Sequence, residues 1–141
     1  MKQLVASLLF CWAVPAAVQA QTAPALKSGE QVYRETCIAC HGPGANSGLA
    51  NVPRVGDKKA WGKLIAEGQH VPTAHGWVGV RAMPPKGGRT DLSLEEFARA
   101  VAWMARASGG NWKDPDARML ERIRGEEAKR IEQLKKAPVK G

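Results

Sequence analysis

The 141-residue chain predicts an all-α protein: three or four short helices around one covalently bound prosthetic group, plus a C-terminal helical extension. Two observations carry that reading. Apolar residues recur at helical spacing near 29–37, 58–67 and 93–107, each stretch opened by a Ser or Asp able to cap it. The second is the pentapeptide Cys37-Ile38-Ala39-Cys40-His41. The C-x-x-C-H pattern marks attachment of a c-type haem. Cysteines three apart share one side of a helical turn, so both sulfurs reach neighbouring vinyl groups of one porphyrin. The following histidine then sits under the iron as a proximal ligand.

Rival readings fit less well. A redox dithiol belongs in a βαβ context, which the flanking residues lack. A zinc site needs four ligands, and His70 and His75 lie too far downstream for zinc-finger spacing. Two buried cysteines with no special role are the remaining option.

Residues 1–20 read as a cleavable secretory signal. Lys2 is its positive start, Leu4 to Val14 its short apolar run, and Val18-Gln19-Ala20 its small-residue cleavage site. The run is too short for a comfortable bilayer span, so no integral membrane segment is expected after cleavage. Cys11 leaves with the signal. Periplasmic localisation follows, along with a mature chain whose two remaining cysteines are both in the haem motif.

In chain order, residues 26–110 form the expected monohaem domain. Ser28 with Gln31 makes a capping-box pattern before the first helix, about 29–37, which turns Val32 and Tyr33 inward. Gly29 near its start permits close approach of another helix. The stretch from Gly42 to Pro53, rich in Gly, Pro, Asn and Ser, predicts a loop along the haem edge. Asp57 caps a helix over about 58–67, with Trp61, Leu64 and Ile65 on one face. Gly68 to Arg81 lacks periodicity and reads as a loop, carrying His70 and His75, with Trp77, Val78 and Val80 folded in.

Met83-Pro84-Pro85-Lys86-Gly87-Gly88 follows. Proline keeps Met83 extended, and two prolines stiffen the strap, which suits presentation of a thioether at fixed depth. A surface loop with a core methionine is the alternative. Ser93 caps a helix over about 93–107 whose Leu94, Phe97, Ala98, Val101, Met104 and Ala105 share a buried face. Gly109-Gly110 ends it. Met104 therefore reads as core rather than as an iron ligand.

These residues together resemble a class I cytochrome c of the cytochrome c5 family. The match runs from about Gly29 to Ala107 through Cys37–His41, Val52-Pro53-Arg54-Val55-Gly56-Asp57, Trp61, Met83-Pro84-Pro85-Lys86-Gly87 and the helix bearing Phe97 and Trp103. The resemblance implies the cytochrome c fold, one haem c on Cys37 and Cys40, and His41 and Met83 as axial ligands. It also implies crossed first and last helices, with Gly29, Val32 and Tyr33 against the Trp103 side, and a carbonyl near Pro53 orienting His41. An extra cysteine pair found in some members is replaced here by Arg89 and Leu92.

Residues 111–141, a basic helical or partly disordered tail, have no counterpart in the compact family fold. Asp114-Pro115 reads as a helix start and Lys136 as its end before Pro138. Glu127 and Arg130 break the apolar seam of Met119, Leu120, Ile123, Ile131 and Leu134, so the tail reads as a solvated helix, with a docking arm as the other option.

Function follows from ligation. With His41 and Met83 filling both axial positions, the centre is an electron carrier rather than an enzyme, shuttling one electron between redox partners such as a dehydrogenase, a cytochrome complex or a terminal oxidase. Without Lys2 the mature chain carries 20 basic and 13 acidic side chains, or +7, which favours an acidic docking surface. Arg81, Lys86 and Arg89 either surround the haem edge and steer such a partner or are ordinary solvated charges. No basic platform interleaved with aromatics suggests nucleic acid. The alternatives are a haem enzyme or gas sensor with a displaceable sixth ligand (His70 or His75 being other candidates) and an electron-accepting or assembly subunit of a larger complex.

Overall fold

Ser28 opens the first helix, its hydroxyl accepting the Gln31 amide N–H at 3.1 Å. The computed structural model describes residues 25–137; the signal segment expected over 1–20 lies outside them. Helix α1 spans residues 29–41 in three parts: α-helical Gly29–Val32, a π-helical turn Tyr33–Cys37, and α-helical Ile38–His41. In the π turn the Ile38 N–H bonds to the Tyr33 carbonyl, five residues back. The haem motif thus runs from the end of the π turn, at Cys37, through the last α turn, Ile38–His41.

Asp57 caps α2, Lys58–Glu67, accepting from the amides of Lys59 and Ala60, both at 3.0 Å. The segment expected as a loop after Gly68 is helix α3, His70–Val78. Pro72 hid it from the periodicity, yet in a helix's first turn its missing N–H would be unpaired in any case. Gly76 weakens local propensity but lets the helix back close against Phe97: an added Cβ would lie 3.0 Å from its Cζ. Packing, with Thr73 and Ala74 fully buried, holds α3 where propensity does not.

Helix α4, Leu94–Ala107, closes its N-terminus with a reciprocal Ser93–Glu96 capping box. Its whole expected apolar face is buried, and Phe97, Val101 and Met104 join Val32, Trp61 and Leu92 in the main core. Helices α1 and α4 cross at Gly29, where a Cβ would come within 2.2 Å of the Arg99 carbonyl oxygen. One turn on, Tyr33 stacks on Trp103 with ring centroids 4.5 Å apart.

The tail forms helix α5, Ala117–Lys136, starting two residues later than expected. Asp116, not Asp114, is the cap, accepting from the Met119 amide at 2.7 Å, while Asp114 pairs with Arg106 at 3.0 Å. Nor is α5 solvated all round. It lies along α3 and touches α4, with Ile123 completely buried and Met119 and Leu120 packed beside it. No helix among the described residues is long and apolar enough to cross a membrane.

Candidate functional site

Helix α1 brings Cys37, Cys40 and His41 into the lining of a cavity of about 1210 Å³, and Met83 lines the same cavity. Trp61, Leu64, Val80, Phe97, Val101 and Met104 give it apolar walls. Met104 is therefore both core and cavity wall, whereas Trp77, expected to fold inward, packs against the core and is not part of the lining. The size exceeds the roughly 300–1,000 Å³ of most small-molecule sites and suits a planar macrocycle with one edge open.

The loop after the motif fixes its geometry. Pro53 offers its carbonyl to His41 Nδ1 at 2.9 Å. A carbonyl only accepts, so Nδ1 carries the proton and Nε2 keeps its lone pair for a metal. The next two residues hold the helix end: Arg54 Nη1 donates to the Cys40 carbonyl at 2.9 Å, and the Val55 amide to the His41 carbonyl at 2.7 Å. Those carbonyls would otherwise be unpaired at a helix C-terminus. Trp61 Nε1 in turn donates to the Arg54 carbonyl at 3.0 Å, tying the loop to α2.

Burial, outweighing the bond to Pro53, holds His41 below the ordinary histidine value, so its ring is neutral at pH 7. Burial, reinforced by Cys40, pushes the Cys37 thiol up to about 11. A redox dithiol requires the opposite shift. Among the described residues no group of three or more His, Cys, Asp or Glu gathers to hold a metal ion.

Met83 is set by a tight turn in which Val80 and Met83 exchange backbone hydrogen bonds at 3.1 and 2.9 Å. Arg81 in that turn and Lys86 in the following 3₁₀ turn, Pro85–Gly88, have φ of 54° and 55°. Non-glycine residues adopt this left-handed form at a cost, and such strain gathers where a loop must hold a particular shape. Helix α3 backs the side chain: a Cβ on Gly76 would stand 3.4 Å from Met83 Cε.

Of the three cations expected at the haem edge, only Arg81 lines the cavity. Lys86 Nζ instead sits 4.2 Å above the Trp77 ring, and Arg89 is clamped to Asp91 by two bonds of 2.7 Å. The two remaining histidines also separate. His75 lines the cavity; His70 turns outward and accepts from Arg122 at 3.0 Å. Arg130, from α5, lines the cavity too, which residue patterning missed. The available signal was the break in the apolar seam at Glu127 and Arg130.

A family model described as "Cytochrome C oxidase, cbb3-type, subunit III" matches residues 24–104. The chain is 37% identical over 81 residues to cytochrome c-555 of Chlorobaculum thiosulfatiphilum, covering 55% of this chain and 90% of that protein. It is 40% identical over 82 residues to cytochrome c5 of Azotobacter vinelandii, covering 56% and 93%. The fold is similar to a chain in "Crystal structure of electron transfer complex of nitrite reductase with cytochrome c", with a TM-score of 0.52 and 39% identity, covering 60% of this chain and 99% of that one. The cavity, its paired cysteines and its buried neutral histidine fit the covalently bound haem c of these proteins. The chain belongs to this family, as a class I, c5-like c-type cytochrome with haem c as its cofactor.

Proposed function

We propose that the protein is a periplasmic electron carrier that takes and passes one electron at a haem held by Cys37 and Cys40 and ligated by His41 and Met83. The convergence of these four side chains on one cavity carries the proposal. When bound, the haem iron supplies one-electron redox chemistry. The residues around it do the rest. His41, with its proton held by Pro53, offers Nε2 in one orientation. Met83 would supply a thioether to the iron, a ligand type that favours the reduced state. The apolar walls exclude water, and a site closed on both faces changes oxidation state with little rearrangement.

Ile38, between the two cysteines, is 42% exposed and supplies an apolar contact beside the attachment site. Together with the +7 charge left once residues 1–20 are removed, this suits brief docking of an acidic redox partner. Dehydrogenases, cytochrome complexes and oxidases are the candidate classes, and a related cytochrome c solved with nitrite reductase adds a reductase to them. Export rests on the signal-like residues 1–20, and a mature N-terminus near Gln21 in periplasmic extract would test it.

The cavity position of His75 favours one second reading, in which this ring displaces Met83 and the centre senses gas or acts as an enzyme. Reduced spectra with and without carbon monoxide separate the two. The carrier reading expects slow or no binding by the wild type, fast binding by Met83→Ala, and no change in His75→Ala. Rapid binding by the wild type, or a Met83→Ala spectrum identical to it, rejects His/Met ligation.

A further inference from the structure

Helix α5 has no equivalent in the compact family fold, yet it reaches the redox site. Ile123, Glu127 and Arg130 follow one another on its inner face at spacings of four and three residues. Ile123 is buried against α3 and α4, and Glu127 accepts the Trp77 indole N–H at 3.1 Å. Arg130 then enters the cavity lining, and its Nε is buried with no hydrogen-bond partner. Among the described residues its guanidinium makes no ion pair, although the carboxylate of Glu67 belongs to the same lining.

A guanidinium has five donors and no acceptor, in a planar fork that matches a carboxylate. Among the described residues Ser47 Oγ, Arg99 Nε and Arg130 Nε are buried without a partner, and of these only Arg130 lines the cavity, where a bound group can supply the acceptor. Haem has two carboxylate groups, on the side of the ring away from the vinyl positions that bond to cysteine. With the thioethers on α1, the carboxylate side would face away from that helix, and the lining there comes from residues 49–53, α2, α3, residues 80–87 and Arg130 of α5. Lys63 and Arg81 are the other cations in the lining, and both are exposed.

We propose that Arg130 holds a haem carboxylate, so that the C-terminal helix is a built-in part of the redox centre and sets its potential. A cation fixed there stabilises the reduced haem relative to the oxidised one, which carries one more positive charge. Arg130 is a positioning residue and not a ligand. The inference rests on haem occupying the cavity with its thioethers on Cys37 and Cys40.

The test is spectroelectrochemical titration of the full-length haem-loaded protein, with intact mass and absorption spectra checking attachment and axial ligation in each sample. Arg130→Gln is expected to shift the one-electron equilibrium toward the oxidised form roughly threefold to tenfold, tenfold being about 59 mV. Arg130→Lys, which keeps the charge without the fork, falls between. Arg124→Gln removes an equal charge from the exposed face of α5 and shifts it less than twofold. Equal small shifts in Arg130→Gln and Arg124→Gln overturn the proposal. Should Arg130→Gln lose the helix, a crystal structure of the haem-loaded wild type decides. Arg130 within about 2.7–2.9 Å of a haem carboxylate supports the assignment, and Arg130 turned to Glu67 or to solvent overturns it.

Discussion

Trp77 and Glu127 lie fifty positions apart in sequence and share a 3.1 Å hydrogen bond, the indole N–H donating to Oε1. The same indole meets Phe97 edge-on at 5.7 Å and takes Lys86 on its face. One side chain thus joins the C-terminal helix, a wall of the haem cavity and the turn that follows Met83. Separate changes Trp77→Phe and Glu127→Ala are each expected to lower stability by about 1–2 kcal/mol, and the double variant by less than their sum. A thermodynamic cycle from denaturant melts measures the difference; simple additivity would mean that the bond contributes nothing.

At Gly29, helix propensity and packing oppose each other. Alanine would gain roughly 1 kcal/mol of intrinsic propensity. Its Cβ, however, has no room beside the Arg99 carbonyl, and prising α1 from α4 costs about 1–3 kcal/mol or more. Gly29→Ala is therefore expected to destabilise, with a weakened near-ultraviolet signal from the Tyr33–Trp103 stack. An alanine variant more stable than the wild type would show that the crossing has slack.

Arg54→Ala removes the donor to the Cys40 carbonyl but leaves the Pro53–His41 bond in place. Loss of a charged donor at a partly buried carbonyl is expected to cost about 1–3 kcal/mol. Haem content should change little, since both cysteines remain. Denaturant melts and haem stoichiometry, measured together, separate stability from attachment.

His70 makes docking of α5 sensitive to pH. Burial, then the charge of Arg122, holds its ring below the ordinary histidine value; Lys129 acts in the same direction and Glu126 against it. A depressed folded value means that the unfolded chain binds the proton more readily. The contribution is complete above about pH 6.5 and is lost as pH falls through the lower folded value. Protease sensitivity of the tail should rise between pH 7.5 and 5 in the wild type. In His70→Gln that step should be absent.

The double variant Cys37→Ala/Cys40→Ala, which cannot attach haem, is expected to lose cooperative melting. Phe97, Val101, Met104 and Trp61 belong at once to the main core and to the cavity lining, so an empty cavity leaves the core half built. A sharp calorimetric transition in this variant would show that the helices pack unaided.

Residue types and spacing made much of this legible. Caps and apolar faces located α2 and α4, whose stabilising contacts are largely local or repeat at helical period. That Cys37, Cys40, His41 and Met83 belong together was legible because a strict local chemistry or a proline strap surrounds each, and the structure brings all four to one cavity. Helix α3 was not, because Pro72 and Gly76 oppose helix formation locally and contacts with Phe97 and α5 override them. Arg130 was hidden for a related reason. A charged residue in an apolar seam reads as a solvated interruption until the surface beneath it is known to be a cavity.

The π turn of α1 has a consequence for register. An α-helix advances by about 100° per residue. The turn at Tyr33–Cys37 holds one residue more than an α turn, so everything after it lags by roughly that angle. The first turn is thereby free to face α4 through Gly29 and Val32, while Cys37, Cys40 and His41 face the cavity. A single-residue deletion within 33–37 would straighten the helix and force a choice between those two faces: the crossing could keep its alignment or the haem motif could, but not both.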